Sequence, residues 1–524
     1  MPNYLSPGVY IEEPEAGTRP IEGVGTAVAA FVGFAASGPM HSPTLVANWA
    51  QYTSIFGEPV PGTYLGHAVY GYFLNGGGTA YVVRVGGAPT VDGAGANGSA
   101  ANGARGELRS AADPASATYV ATVRDPALRG AQVTVEIADA PEGAPEDSFR
   151  LIVRGGGREE VFEPVTTRRG RTNVVTQVNA TSTLIELAEA PAAGAHAAAA
   201  SAAERRPANG VVALVEPPST EVVVNPAEYV GSSADRTGFA GLEVIDTVTM
   251  VAVPDLMAAH LAGQIDADGV RAVQTAMIAH CELMGDRMAI IDPPPGLGAQ
   301  QVRHWRREEA GYDSKYAALY WPWIRVFDPQ SGRPIDLPPS GHMAGVWARN
   351  DATRGVHKAP ANEVVRGAIG IAASLTRAEQ DELNPVGVNC VRAFPGRGIR
   401  VWGARTLSSD PSWRYINVRR LYNYVESSVT IGTQWVVFEP NDRDLWQRVT
   451  RTIRAFLFTV WQDGGLFGDT VDEAFYVKCD DETNPSELIE TGRLTCEVGM
   501  AVVKPAEFVV FRLAQLPAGT SVTE

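Results

Sequence analysis

The feature that most constrains this chain is an α/β pattern that stops and later resumes. From Thr26 onward, residues 27–34 read as a buried strand, 63–74 as a helix and 80–85 as a second strand. Between Ala88 and Pro218 the composition changes: three aromatics (Tyr119, Phe149 and Phe162) stand among long tracts of Ala, Gly and polar residues. Period-2 runs at 118–124, 132–137, 149–153 and 211–215 predict a small β domain there, with 93–106 and 192–203 as loops or linkers. The α/β pattern resumes near Gly238, with strands at 248–253, 288–291 and 317–326 and helices at 269–284 and 300–309. The expected fold class is therefore multidomain α/β (α+β). A split core over 25–87 and 230–385 is interrupted by an inserted, surface-exposed, β-rich domain over 88–229.

The last quarter, 386–516, reads as a separate block: two short strands, two long helices and a run of strands, followed by a tail over 517–524. On a wheel at ~100° per residue, Leu445, Trp446, Val449, Ile453, Phe456, Leu457 and Val460 of the second helix share an arc roughly 120° wide. Arg448, Arg451 and Arg454 fall on the opposite arc, with no neutralising charge nearby on the helix. In a chain of formal net charge -16, such a stripe asks for an acidic partner, or is simply a solvated face.

The acidic balance argues against direct nucleic-acid binding, which needs clustered positive charge. The opening residues lack a basic and apolar leader, and no apolar run reaches the ~18 residues of a membrane helix. Neither secretion by a signal peptide nor membrane insertion is expected. Cys281, Cys390, Cys479 and Cys496 have neither zinc-ligand nor disulfide-framework spacing and read as reduced, mostly buried thiols.

Catalytic patterns are missing. Gly76-Gly77-Gly78 and Gly296-Leu297-Gly298 match neither a P-loop nor a dinucleotide fingerprint and read as turns. There is no Gly-x-Ser-x-Gly elbow; Ser340 beside His342 at a helix start reads as a capping serine. His260, His280, His304 and His357 have no metal-ligand pairing. Asp480-Asp481 and Glu308-Glu309 read as surface charge. No catalytic residue, cofactor or metal site is expected.

Both ends carry strands without local partners. Residues 1–24 form an arm containing Val9, Tyr10, Ile11 and Glu12, a strand-like run with no adjacent hairpin. Near the other end Phe508, Val509, Val510, Phe511 and Arg512 form an apolar strand that would be an aggregation hazard as a free edge.

Several ordered motifs carry a family resemblance. They are Tyr4-Leu-Ser-Pro-Gly-Val-Tyr-Ile-Glu-Glu13, Trp321-Pro-Trp-Ile-Arg-Val-Phe-Asp-Pro329, Pro338-Pro-Ser-Gly-His-Met-Ala-Gly345 and Asp351-Ala-Thr-Arg-Gly-Val-His-Lys-Ala-Pro-Ala-Asn362. Leu383-Asn-Pro385, Trp402-Gly-Ala-Arg-Thr-Leu407, Tyr415-Ile-Asn-Val-Arg-Arg-Leu421, Phe438-Glu-Pro-Asn441 and Pro505-Ala-Glu-Phe508 follow. The chain resembles the phage tail sheath protein family over about 1–87 and 230–515. The resemblance implies a structural protein of stacked hexameric rings around an inner tube protein, assembled in the bacterial cytoplasm with baseplate and terminal cap proteins. It implies a purely mechanical contraction, with no nucleotide, that drives the tube through a target envelope. It also implies that neighbouring copies exchange terminal strands, here 9–12 and 508–512, and that the helix bearing Arg448, Arg451 and Arg454 faces the tube. An N-terminal hinge is expected over 17–25. The rival readings are a tube or baseplate component of the same machine, or an enzyme with an unrecognised site.

Overall fold

The computed structural model describes residues 20–86, 105–112, 117–124, 133–141, 144–145, 148–168, 170–190, 206–214 and 225–511. The chain divides into two units, Met1–Ala88 with Val222–Glu524, and Pro89–Glu221.

One eight-stranded sheet organises the larger unit. Its strands in chain order are β1 (Ala29–Gly33), β2 (Thr44–Val46), β3 (Ala80–Arg84), β4 (Met250–Ala252), β5 (Met288–Ile291), β6 (Ala317–Trp321), β7 (Val388–Phe394) and β8 (Gly398–Trp402). Their order across the sheet is β8-β7-β6-β5-β4-β1-β3-β2. From β7 to β3 every neighbour is parallel, and the edge strands β8 and β2 run antiparallel. A parallel sheet is covered on both faces, so its strands are apolar throughout; β1, β4, β5 and β6 are buried at every position. Alternate residues serve two cores. Ala30 and Val32 pack with Val251, Ala289 and Leu319, whereas Ala29 and Phe31 pack with Tyr72, Ile290, Tyr320 and Trp347.

Five helices matter below: α1 (Leu65–Leu74), α2 (Ala267–Met284), α3 (Ser340–Arg354), α4 (Ile416–Gly432) and α5 (Arg443–Gln462). Helix α2 starts where the Asp266 carboxylate accepts from the Gly269 N–H and stops at Gly285, which is left-handed with φ 70°. Helices α1 and α3 approach closely enough that a Cβ on Gly341 would lie 2.4 Å from the Ala68 Cα. One on Gly345 would lie 2.4 Å from the Tyr72 carbonyl oxygen. Those glycines in the 338–345 motif are there for helix contact.

The smaller unit holds two antiparallel sheets. The four-stranded one runs in the order Gly210–Leu214, Val133–Asp139, Ser148–Gly155, Arg158–Thr166, and the three-stranded one Arg105–Arg109, Ala117–Val123, Ile185–Glu189. Its three aromatics, Tyr119, Phe149 and Phe162, all lie in its core, with helix Val174–Thr181 contributing Val174 and Val178.

The structure departs from expectation in four places. The run 317–326 is two strands, β6 and Ile324–Asp328, and the second pairs antiparallel with Arg333–Leu337 and Ala368–Ile371. Pro322 lies between them and offers no N–H to continue a ladder. Strands β7 and β8 belong to the main sheet, with β7 pairing in parallel to β6, although their sequence neighbours are in the last block. Edge strand β2, and in the smaller unit Arg105–Arg109, Arg158–Thr166 and Ile185–Glu189, have no counterpart in the expectation. Residues 93–104 and 192–203 lie outside the described residues. Cys281 and Cys390 are buried, but Cys479 and Cys496 are half-buried; all four are free thiols.

Candidate interaction surfaces

Helix α5 begins at Asp442, whose side chain accepts from the Leu445 N–H. It buries Leu445, Trp446, Val449, Thr452, Ile453, Phe456, Leu457 and Val460. They join Leu421 and Val425 of α4 and Phe475 in a core separate from those of the main sheet. At about 1.5–3 kcal/mol for each large apolar side chain, this face fixes the helix's rotation. Arg448, Arg451 and Arg454 are thereby held on the exposed side.

That side is less positive than the sequence suggested. Arg448 pairs with Glu439 at 3.2 Å and lies over the Trp435 ring, its guanidinium 5.4 Å from the centroid. Arg454 pairs with Asp472 at 3.1 Å, and Arg443 with Asp481 at 2.8 Å. The neutralising carboxylates come from segments flanking the helix, where a wheel does not show them. Arg451 alone of the three forms no ion pair with a described residue.

A second cluster fixes the C-terminal segment. The Glu507 carboxylate accepts from Arg405 Nε at 2.9 Å and Nη2 at 2.6 Å, from Asn384 Nδ2 at 2.6 Å and from the Tyr415 hydroxyl at 3.0 Å. Burial pushes this carboxyl up, but hydrogen bonds from Arg405 and Asn384, with the Arg405 charge and the Tyr415 hydroxyl, outweigh it and hold it below its ordinary range. Four of the sequence motifs meet here. Just beyond the anchor, Phe508, Val509, Val510 and Phe511 are 75%, 67%, 78% and 83% exposed and belong to no strand. Arg512 and the whole 9–12 run lie outside the described residues.

The N-terminal side is clamped as well. Ile21 is buried in the α4/α5 core, the Val24 N–H donates to Ser428 Oγ at 3.1 Å, and a Cβ on Gly23 would lie 2.0 Å from the Tyr424 hydroxyl oxygen. Gly23 therefore serves close approach to α4, and Ile21, Gly23 and Val24 are held against that helix; 17–19 lie outside the described residues. Two residues on, Thr26 Oγ donates to Asp351 Oδ2 at 2.7 Å, and its carbonyl accepts from Arg420 at 2.8 Å. Arg420 grips Asp351 through Nη1–Oδ1 at 2.8 Å and Nη2–Oδ2 at 2.6 Å. This buried pair joins α3 to α4.

Ser340 does not cap α3. The N-cap is Pro339, without a side-chain cap, and the Ser340 N–H is satisfied by Asp292 Oδ1 at 2.9 Å. Ser340 and His342 are 0% and 2% exposed. Burial, then the charge of His67, pushes His342 down to about 4. Among the described residues no cluster of three His, Cys, Asp or Glu could hold a metal, and no helix is long and apolar enough to cross a membrane.

Comparison with known proteins matches two consecutive blocks of the larger unit. The phage tail sheath protein central domain matches residues 244–407, and the phage tail sheath C-terminal domain matches 408–515. The chain belongs to the phage tail sheath protein family. The sheath family's domain border at 407/408 leaves β7 and β8 with the central domain, as their pairing does. A prophage major tail sheath protein of Pseudomonas aeruginosa is 26% identical over 291 residues, 54% of this chain and 70% of that one. The tail sheath protein of Salmonella phage ViI is 26% identical over 208 residues, 39% of this chain and 32% of that one. In fold, the chain is similar to the helical sheath of the anti-feeding prophage in its contracted state, at TM-score 0.59 and 24% identity, covering 97% of this chain and 99% of that one. It is equally similar to the sheath complex of an extracellular contractile injection system in its contracted state: TM-score 0.59, 23% identity, 98% and 99% covered.

Proposed function

We propose that this chain is the structural subunit of a contractile sheath, stacked as hexameric rings around an inner tube and bounded by baseplate and cap proteins. Contraction is mechanical: subunit interfaces formed as rings rotate and close up drive the tube through a target envelope. The observation that carries this reading is the Glu507 anchor followed at once by four exposed apolar residues. A folded chain that fastens an apolar segment at its base and leaves the segment itself uncovered offers a strand donor to another copy. A two-stranded sheet in the last block supports an acceptor for it. The last block's own sheet is a two-stranded pair, Phe475–Lys478 with Glu497–Met500, and two strands alone are marginal in water. The 9–12 run, as a second donor, would complete the exchange, and Arg451 with Arg448 and Arg454 would meet acidic residues of the tube through individually weak contacts of about 0.2–1 kcal/mol. Weak contacts suit a surface that must release.

Electron microscopy of the protein expressed alone tests the reading. Hollow striated cylinders of uniform width are expected. Particles that stay small even with inner tube and baseplate co-expressed would overturn it.

A further inference from the structure

The turn that leads into α5 holds an aromatic residue in a place where its side chain costs the fold and gives it nothing. Phe438 has φ 70°, the left-handed region, and its exposure is 103%. A bulky L-residue there is strained, whereas Gly adopts the same φ freely and Asn nearly so. The backbone is over-determined from both sides. The Glu439 N–H donates to the Val436 carbonyl at 3.1 Å, and the Val437 N–H to Gln434 at 3.3 Å. Beyond the following Pro440, Asn441 is fixed twice, donating to the Arg493 carbonyl at 2.8 Å and accepting from the Trp446 indole at 2.8 Å. The ring is thus displayed on a stiff base. Val437 beside it is also exposed, at 63%.

The turn is continuous with the arginine face. Glu439, next to the ring, is the carboxylate that takes Arg448, and Arg451 stands on the next turn of α5 without an ion-pair partner among the described residues. Phe438 thus sits one residue from the carboxylate that pairs with Arg448, and a partner broad enough to cover that pair and the next turn of α5 would meet both the ring and Arg451. We propose that Phe438 is a preset aromatic knob for the partner that binds Arg451: a protein surface with an apolar hollow edged by carboxylates. On the reading above, on which this inference rests, that partner is the inner tube. Strain fixed before binding keeps the knob presented, so little ordering is left to oppose docking. A buried aromatic anchor ringed by weak charge pairs is also the usual energetic form of an interface centre.

The test uses the full chain co-assembled with the inner tube and compares F438G, F438N and R451E with the parent. Both replacements at 438 suit the left-handed backbone, so they are expected to melt no lower than the parent and to form cylinders without tube. Tube retained in purified sheath is expected to fall about tenfold or more for F438G and F438N, and to fall for R451E. If R451E loses the tube while F438G keeps it, the knob is overturned and the tube-facing helix stands. If R451E also keeps the tube, the tube-facing reading fails and the knob with it. If F438G abolishes tube-free cylinders, the ring serves a neighbouring copy, and the proposal is overturned.

Discussion

Arg405 holds Glu507 through both carboxylate oxygens, at 2.9 and 2.6 Å, with the two side chains only 11% and 19% exposed. The pair spans 102 residues of sequence and is what stops the C-terminal segment from leaving the body earlier than Phe508. Glu507→Gln keeps the shape but removes the charge from the pair. Hydrogen bonds to charged groups are worth about 1.5–3 kcal/mol, so the segment around 503–511 should open by that amount while the cores stay intact. Hydrogen exchange or limited proteolysis near Phe508 reads this, with unchanged melting of the remainder. The pH sign follows from a folded pKa below the ordinary value: the stabilisation is present above the unfolded pKa of about 4.3 and is lost as pH falls through the folded value. The segment should loosen only in acid.

The Asp351–Arg420 pair is more deeply buried, with both side chains 4% exposed. Asp351→Ala strands a buried guanidinium and should cost about 3–5 kcal/mol in chemical denaturation. Replacing both by apolar residues of similar volume should recover most of that loss. If the double variant were as weak as the single, the pair would be supplying more than compensation for its own burial.

Asp292 presents the opposite case. Burial pushes its carboxyl up to about 7, against the Ser340 N–H bond that favours the ionised form. A folded pKa above the unfolded one gives a contribution complete below about pH 4 and lost as pH rises through 7. Asn can still accept from the Ser340 N–H without carrying charge. Asp292→Asn should therefore melt higher than the parent at pH 8, with the gap narrowing toward pH 5. Equal gaps at both would show that Asp292 does not titrate there.

Gly341 tests the close crossing of α1 and α3. Alanine would place its Cβ 2.4 Å from the Ala68 Cα, against backbone that cannot rotate away. Overpacking of this kind costs about 1–3 kcal/mol, although Ala is the better helix former. A melting temperature that rises in Gly341→Ala would mean that the helices separate freely.

The central sheet is legible because buried parallel strands read as unbroken apolar runs: 288–291 matches to the residue, β1 to within two and β3 to within one. Pairing is not. Nothing local in Val388–Phe394 says that its neighbour is Ala317–Trp321, since that choice is made by the crossover between them. The arginine stripe was visible as periodicity, but Glu439 and Asp472, 9 and 18 residues from their arginines, lie off the helix and so off the wheel. The motifs holding Asn384, Arg405, Tyr415 and Glu507 are separate in the sequence. Their convergence across 123 residues is a property of the fold.

Ending the chain after Glu507 separates folding from assembly. The four exposed residues Phe508 to Phe511 lie outside every buried cluster of the described chain, so their removal takes no apolar area out of a core. The truncated protein should keep the parent's melting temperature within about 2 °C, since surface changes shift stability by about 0.5 kcal/mol or less. It should also be more soluble, because an uncovered Phe-Val-Val-Phe run is an edge hazard. If the strand is a donor, the same protein forms no cylinders, and adding tube does not rescue it. Cylinders from the truncated chain would place the intersubunit contact elsewhere and leave the exposed run without the role that its anchor suggests.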